Sequence, residues 1–120
     1  MGFNLNDFGK DHWSTFAYAE CCCVDLKGRL DLRRLRMNSN KRPVGNGGTW
    51  QPSYGSFVKG KRDPEHDDWD CLEDLEAEGL IEMIGTMVNP AVKLTERGYE
   101  IAGLLRKHKA NGGQFGTFEL

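Results

Sequence analysis

The sequence predicts a mainly α domain carrying one small β-hairpin, an α+β fold. Three observations predict it. Apolar residues recur at helical spacing in two well-separated stretches after residue 66. Two short β-prone runs, Leu80 to Ile84 and Ala91 to Leu94, flank the turn-forming stretch Gly85 to Pro90 between those helices. Near the N-terminus, Trp13, Phe16, Ala17, Ala19 and the three cysteines at 21–23 supply the buried side of a third helix.

At 120 residues the chain fits one domain with a single core. Its first predicted helix runs from about His12 to Asp25, capped by Asp11 and ended by Gly28. Leu30 to Met37 suits a short second helix opened by Asp31, with Leu32 and Leu35 inward and Arg33, Arg34 and Arg36 outward. A strand is disfavoured there because adjacent Arg33 and Arg34 break the alternation. Asn38 to Arg62 is a long insertion punctuated by Pro43, Gly45, Gly47, Gly48 and Pro52, with a hairpin expected around Trp50 to Val58. A connection this long in a small domain is usually functional or disordered.

Asp67 or Asp68 then caps a helix ending at Gly79, whose core side is Trp69, Leu72 and Leu75. Thr95 caps the last helix, with Ile101, Leu104, Leu105 and His108 as its expected buried stripe. Arg106, Lys107 and Lys109 suit the negative end of that helix dipole. Gly112 and Gly113 stop it, and Phe115 and Phe118 either fold back or meet a partner. The divisions are therefore an N-terminal arm at 1–10, a domain at 11–109 and a tail at 110–120.

Charge is partitioned along the chain. Residues 27–62 hold ten Lys or Arg against the single acid Asp31, and residues 63–92 hold ten acids with no Lys or Arg, although the whole chain is only −2. Such asymmetry concerns partners more than fold. No apolar run approaches the roughly 20 residues that span a bilayer. Residues 1–10 lack a basic segment followed by an apolar one, so no secretory signal and no membrane partner are expected.

Of the four cysteines, Cys21, Cys22 and Cys23 are consecutive and point in different directions on a helix, which does not suit a disulfide framework. Free thiols fit a reducing cytoplasm. A zinc site could draw on Cys21 or Cys22 with Cys71 and His66, but no C-x-x-C pair is present, and the sequence reading assigns no metal and no cofactor. His12, His66, Asp67 and Asp68 are the candidates for acid–base chemistry. His66-Asp67-Asp68 directly precedes a helix, where Asp is expected as a cap. With no phosphate loop and no base partner legible for Cys71, the chain reads as a non-enzyme.

Gly28-Arg-Leu30-Asp-Leu32, then Leu72-x-x-Leu75-x-x-x-Gly79-Leu80-Ile81, then Leu94-Thr95-x-x-Gly98 resembles the winged helix-turn-helix superfamily over about residues 11–109. The small size resembles phage or mobile-element regulators and interaction proteins. The resemblance implies a wing from the hairpin, a recognition helix at Asp68 to Glu78, and a transcription-regulating role in a bacterial or phage-infected cytoplasm. The insertion at 38–62, between the second and third helices, departs from the family's short turn. The implied base-reading positions are Asp70, Glu73, Asp74, Glu76 and Glu78, and duplex DNA, with one negative charge per about 1.7 Å of axis, repels such a face. The wing tip, Thr86 to Pro90, offers no cation.

Two function classes follow. The first is DNA or RNA binding through Arg29, Arg33, Arg34, Arg36, Lys41, Arg42, Lys59, Lys61 and Arg62, with Trp50 and Tyr54 available to stack on bases. The second is a protein-interaction module or phage-type inhibitor that sets the acidic helix residues Asp70, Glu73, Asp74, Glu76 and Glu78 against a basic partner surface. Against both stands the plainer expectation that the two charge blocks neutralise each other within the fold or across a homodimer.

Overall fold

The computed structural model describes residues 7–31, 34–35, 56–58, 61–63, 66–86 and 89–119. Among these, the chain forms an α+β domain of three α-helices and two two-stranded antiparallel hairpins. The order is α1 (Lys10–Asp25), β1 (Ser56–Val58), β2 (Lys61–Asp63), α2 (Asp68–Ala77), β3 (Ile81–Met83), β4 (Val92–Leu94) and α3 (Glu96–Ala110), followed by a 3-10 turn at Phe115–Thr117.

Helix α1 starts earlier than its capping residue suggests. Gly9 is the N-cap, and Asp11 lies inside the first turn. The Asp11 carboxylate instead accepts the Phe57 backbone N–H at 2.6 Å, tying β1 to the start of α1. Trp13, Phe16, Ala19 and Cys22 enter the core. At its far end Gly28, at φ +85°, brings its backbone so close to Val92 that a Cβ there would lie 2.0 Å from the Val92 carbonyl oxygen. That approach allows the Val92 N–H to reach the Gly28 carbonyl at 2.8 Å, and Arg29 to bridge antiparallel to Ala91.

Of the expected short helix at 30–37, residues 32, 33, 36 and 37 lie outside the described residues. Within it, the Arg34 N–H bonds to the Asp31 carbonyl at 3.0 Å, and Leu30 and Leu35 are buried. The insertion hairpin sits later than expected: Ser56 pairs with Asp63, Phe57 with Arg62 and Val58 with Lys61. Trp50 and Tyr54 lie outside the described residues.

Helix α2 begins as expected, at a reciprocal cap in which Asp67 accepts from the Asp70 N–H and Asp70 accepts from the Asp67 N–H. Trp69, Leu72 and Leu75 are buried, and Leu80 and Ile81 continue that apolar layer into β3. Strands β3 and β4 pair in the expected places, with Ile81 opposite Leu94 and Met83 opposite Val92.

A knot of contacts joins β3 to α3. Thr95 caps α3, its Oγ1 accepting from the Gly98 N–H at 2.9 Å and donating to the Gly79 carbonyl at 2.6 Å. Replacing Thr95 by Ala removes both bonds, and a loss of about 1–2 kcal/mol is expected in denaturant titration. Ile101, Ala102 and Leu105 face the core, whereas Leu104 is exposed rather than buried. Leu104 stands one helical step outside the stripe set by Gly98, Ile101, Ala102 and Leu105, and no described element covers it there. The tail folds back. Phe118 is buried edge-on to Trp13 at 4.8 Å between ring centroids, and His108 Nε2 lies 2.9 Å from the Gln114 carbonyl oxygen.

Candidate functional site

Where α1 crosses α2, four ionisable side chains meet in the interior. His12 comes from the first turn of α1, His66 from the segment entering α2, and Cys71 and Asp74 from consecutive turns of α2. All four are buried, His12 and Cys71 completely. Cys71, Asp74 and Leu75 share one stripe of α2, since residues three and four apart lie on the same helix face.

Asp74 Oδ2 lies 2.8 Å from His12 Nε2 and 2.8 Å from His66 Nε2. The Gly9 N–H donates to His12 Nδ1 at 3.2 Å, so the ring proton of His12 belongs on Nε2, where it donates to Asp74. His66 turns its other nitrogen, Nδ1, toward Cys71 Sγ at 3.8 Å, and Sγ also lies 3.8 Å from Ser56 Oγ. Phe8 stacks flat on the His12 ring at 4.3 Å and closes that side.

The electrostatics follow from burial and these bonds. Burial lowers the His12 pKa below its ordinary value and outweighs the opposing pull of Asp74, so the imidazole is neutral at pH 7. Burial alone would raise the Asp74 carboxyl, but the hydrogen bonds from both imidazoles outweigh it and hold Asp74 below the usual carboxylate range. Burial, reinforced by the nearby Asp68 charge, pushes the Cys71 thiol far up. The row Cys71–His66–Asp74 has the connectivity of a nucleophilic triad. Its thiol, however, is inaccessible and held protonated, the reverse of an activated cysteine. Ring nitrogens of His12 and His66 and Sγ of Cys71 lie within 4.8 Å of one another, which suits metal ligation.

The sequence pairs Cys71 and His66 with Cys21 or Cys22. The fold supplies His12 instead. Cys21 is exposed, while Cys22 is buried and interacts with Tyr18.

The acidic face of α2 is smaller than the sequence predicts. Asp74, expected outside as a partner contact, is an interior residue held by two imidazoles. Asp70 is half-buried in the α2 cap, and Glu78 is half-buried. Glu73 and Glu76 are exposed, and Glu76 accepts the Met83 N–H at 2.7 Å. Both line a cleft of about 260 Å³ with Trp69, Met83, Gly85, Thr86 and Pro90.

Of the basic residues, Arg29, Arg34, Lys61 and Arg62 are described, and all four are exposed. The Arg34 guanidinium lies over the Tyr18 ring at 5.2 Å. It also lines an open polar cleft with Asp11, Ser14, Thr15, Tyr18, Leu35 and Asp68. Arg33, Arg36, Lys41, Arg42, Trp50, Tyr54 and Lys59 lie outside the described residues. No described helix is long and apolar enough to cross a membrane. Comparison with protein-family models, curated proteins and solved structures found no match to this chain.

Proposed function

We propose that the chain is a non-enzymatic protein of winged-helix type that binds nucleic acid through its basic 29–62 segment rather than through α2. Support for the fold type is the strand arrangement. Arg29 bridges to Ala91 at the entry to β4, and β4 pairs with β3, so the segment that follows the first helix meets the hairpin through a single antiparallel bridge. Helix α2 precedes that hairpin and α3 follows it, in the order the superfamily uses.

The observation that carries the ligand reading is the division of exposed charge. Every described Lys or Arg of the 29–62 segment is exposed, while the exposed side chains of α2 include Glu73 and Glu76. A phosphate backbone is attracted to the first surface and repelled by the second. Arg34 over Tyr18 adds a flat cationic surface on which an unpaired base can stack.

Fluorescence anisotropy with labelled duplex and single-stranded DNA, over a salt series, tests this. The expected result is a log–log salt slope of several units. Arg34→Ala should lower that slope by about one. Absence of binding at low salt would sink the proposal.

A second reading has a specific observation in its favour. The cleft between α2 and the β3–β4 hairpin combines an apolar floor of Trp69 and Met83 with the carboxylates of Glu73 and Glu76. That combination fits a lysine or arginine side chain of a protein partner. Under this reading, Glu73→Lys with Glu76→Lys abolishes capture of the partner and leaves DNA affinity unimpaired.

A further inference from the structure

We propose that His12, His66 and Cys71 form a binding site for one divalent transition-metal ion of the zinc class, with Asp74 as the carboxylate that orients His66. The site joins α1 to α2 and is independent of the nucleic-acid reading.

Three observations carry it. The donor set is borderline to soft, two imidazoles and a thiolate, which selects zinc or cobalt over magnesium or calcium. The three donors lie within 4.8 Å of one another, and the His66–Cys71 pair is close to the spacing of a coordination sphere. Zn–N of about 2.0–2.1 Å and Zn–S of about 2.3 Å put N and S about 3.6 Å apart in a tetrahedron, and His66 Nδ1 lies 3.8 Å from Cys71 Sγ. Finally, His66 uses Nδ1 toward the sulfur while its Nε2 stays on Asp74. That is the carboxylate–histidine–metal arrangement in which an outer carboxylate fixes the ring and raises its basicity.

Charge balance selects a divalent ion. Without metal, the buried cluster carries the negative charge of Asp74. Binding M²⁺ with loss of the Cys71 proton places +2 against one thiolate and one carboxylate, leaving these four side chains and the ion neutral together. Each metal bound therefore releases at least one proton to solvent, from Cys71. One cost is local. If His12 ligates through Nε2, its proton moves to Nδ1, its bond to Asp74 is given up, and the Gly9 N–H must find another acceptor.

The test uses the full chain, stripped with chelator and titrated with Co²⁺. Wild type should bind one equivalent and develop a near-ultraviolet thiolate-to-cobalt charge-transfer band. Zn²⁺ should displace the cobalt and raise the melting temperature. A Cys21→Ala, Cys22→Ala, Cys23→Ala variant, in which Cys71 is the only thiol left, should keep the charge-transfer band. Asp74→Asn should keep the band and weaken affinity by roughly 10–100-fold, as loss of an outer-shell partner does. Absence of a charge-transfer band in wild type, or its disappearance when only Cys71 remains, would overturn the proposal. So would a melting temperature indifferent to zinc and chelator.

Discussion

Asp74→Ala should be among the most damaging single substitutions in the metal-free protein, costing about 3–5 kcal/mol. One carboxylate oxygen receives hydrogen bonds from two buried imidazoles, and each such bond to a charged group contributes about 1.5–3 kcal/mol. Alanine removes the carboxylate that both interior N–H donors share. For a domain whose whole stability is of order 5–15 kcal/mol, that is a large fraction. Thermal unfolding followed by circular dichroism in chelator should show a fall of roughly 10–20 °C. Asp74→Asn should cost distinctly less, because its Oδ1 can still accept from both rings. A melting point within a few degrees of wild type for Asp74→Ala would show that the network does not hold α1 to α2.

Gly98→Ala is the second large effect. A Cβ at this position would lie 1.9 Å from the Leu80 carbonyl oxygen and 3.3 Å from Thr95 Oγ1. The oxygen is rigid backbone, and the same Leu80 carbonyl accepts the Thr95 N–H at 3.1 Å. Helix α3 must back away from β3, loosening its cap and the Ile101, Ala102 and Leu105 contacts behind it. A loss of about 3 kcal/mol is expected, at the upper end for overpacking. Gly103→Ala, in the same helix, is the control. Its Cβ would meet only the flexible end of Arg106 at 3.7 Å. Alanine's better helix propensity should then stabilise the protein by up to about 1 kcal/mol. Equal effects from the two substitutions would show that the close approach at Leu80 is not what places α3.

These two positions also mark what the sequence made legible. Gly98 belongs to Leu94-Thr95-x-x-Gly98, a local pattern whose cap and close packing are both written within five residues, so the helix start and the β3–β4 pairing can be read from it. The cluster at Asp74 has no such local pattern. His12 and Asp74 are 62 positions apart, and Asp74 sits among so many acids that it reads as surface. The one signal was its helical spacing: Cys71, Asp74 and Leu75 fall on the stripe beside Leu72, which places a carboxylate inward and requires an interior donor. His12, next to Trp13 on the apolar side of α1, is such a donor. Charge counting dominated that signal and turned an interior residue into a partner contact. For the insertion, a hairpin around Trp50 to Val58 is legible, but the strand at Ser56–Val58 is held by the Asp11 carboxylate accepting the Phe57 N–H, a long-range bond that no local preference encodes.

The central claim is that nucleic acid is held by the basic segment and not by α2. The most direct measurement compares two variants of the full chain at one low salt concentration, using labelled single-stranded and duplex DNA. In the first, Arg29, Arg34, Lys61 and Arg62 become Ala. In the second, Glu73 and Glu76 become Lys. The account predicts that the first variant loses most of its affinity, with a salt slope lower by about four, while the second binds at least as tightly as wild type. Unchanged binding in the first variant would contradict it.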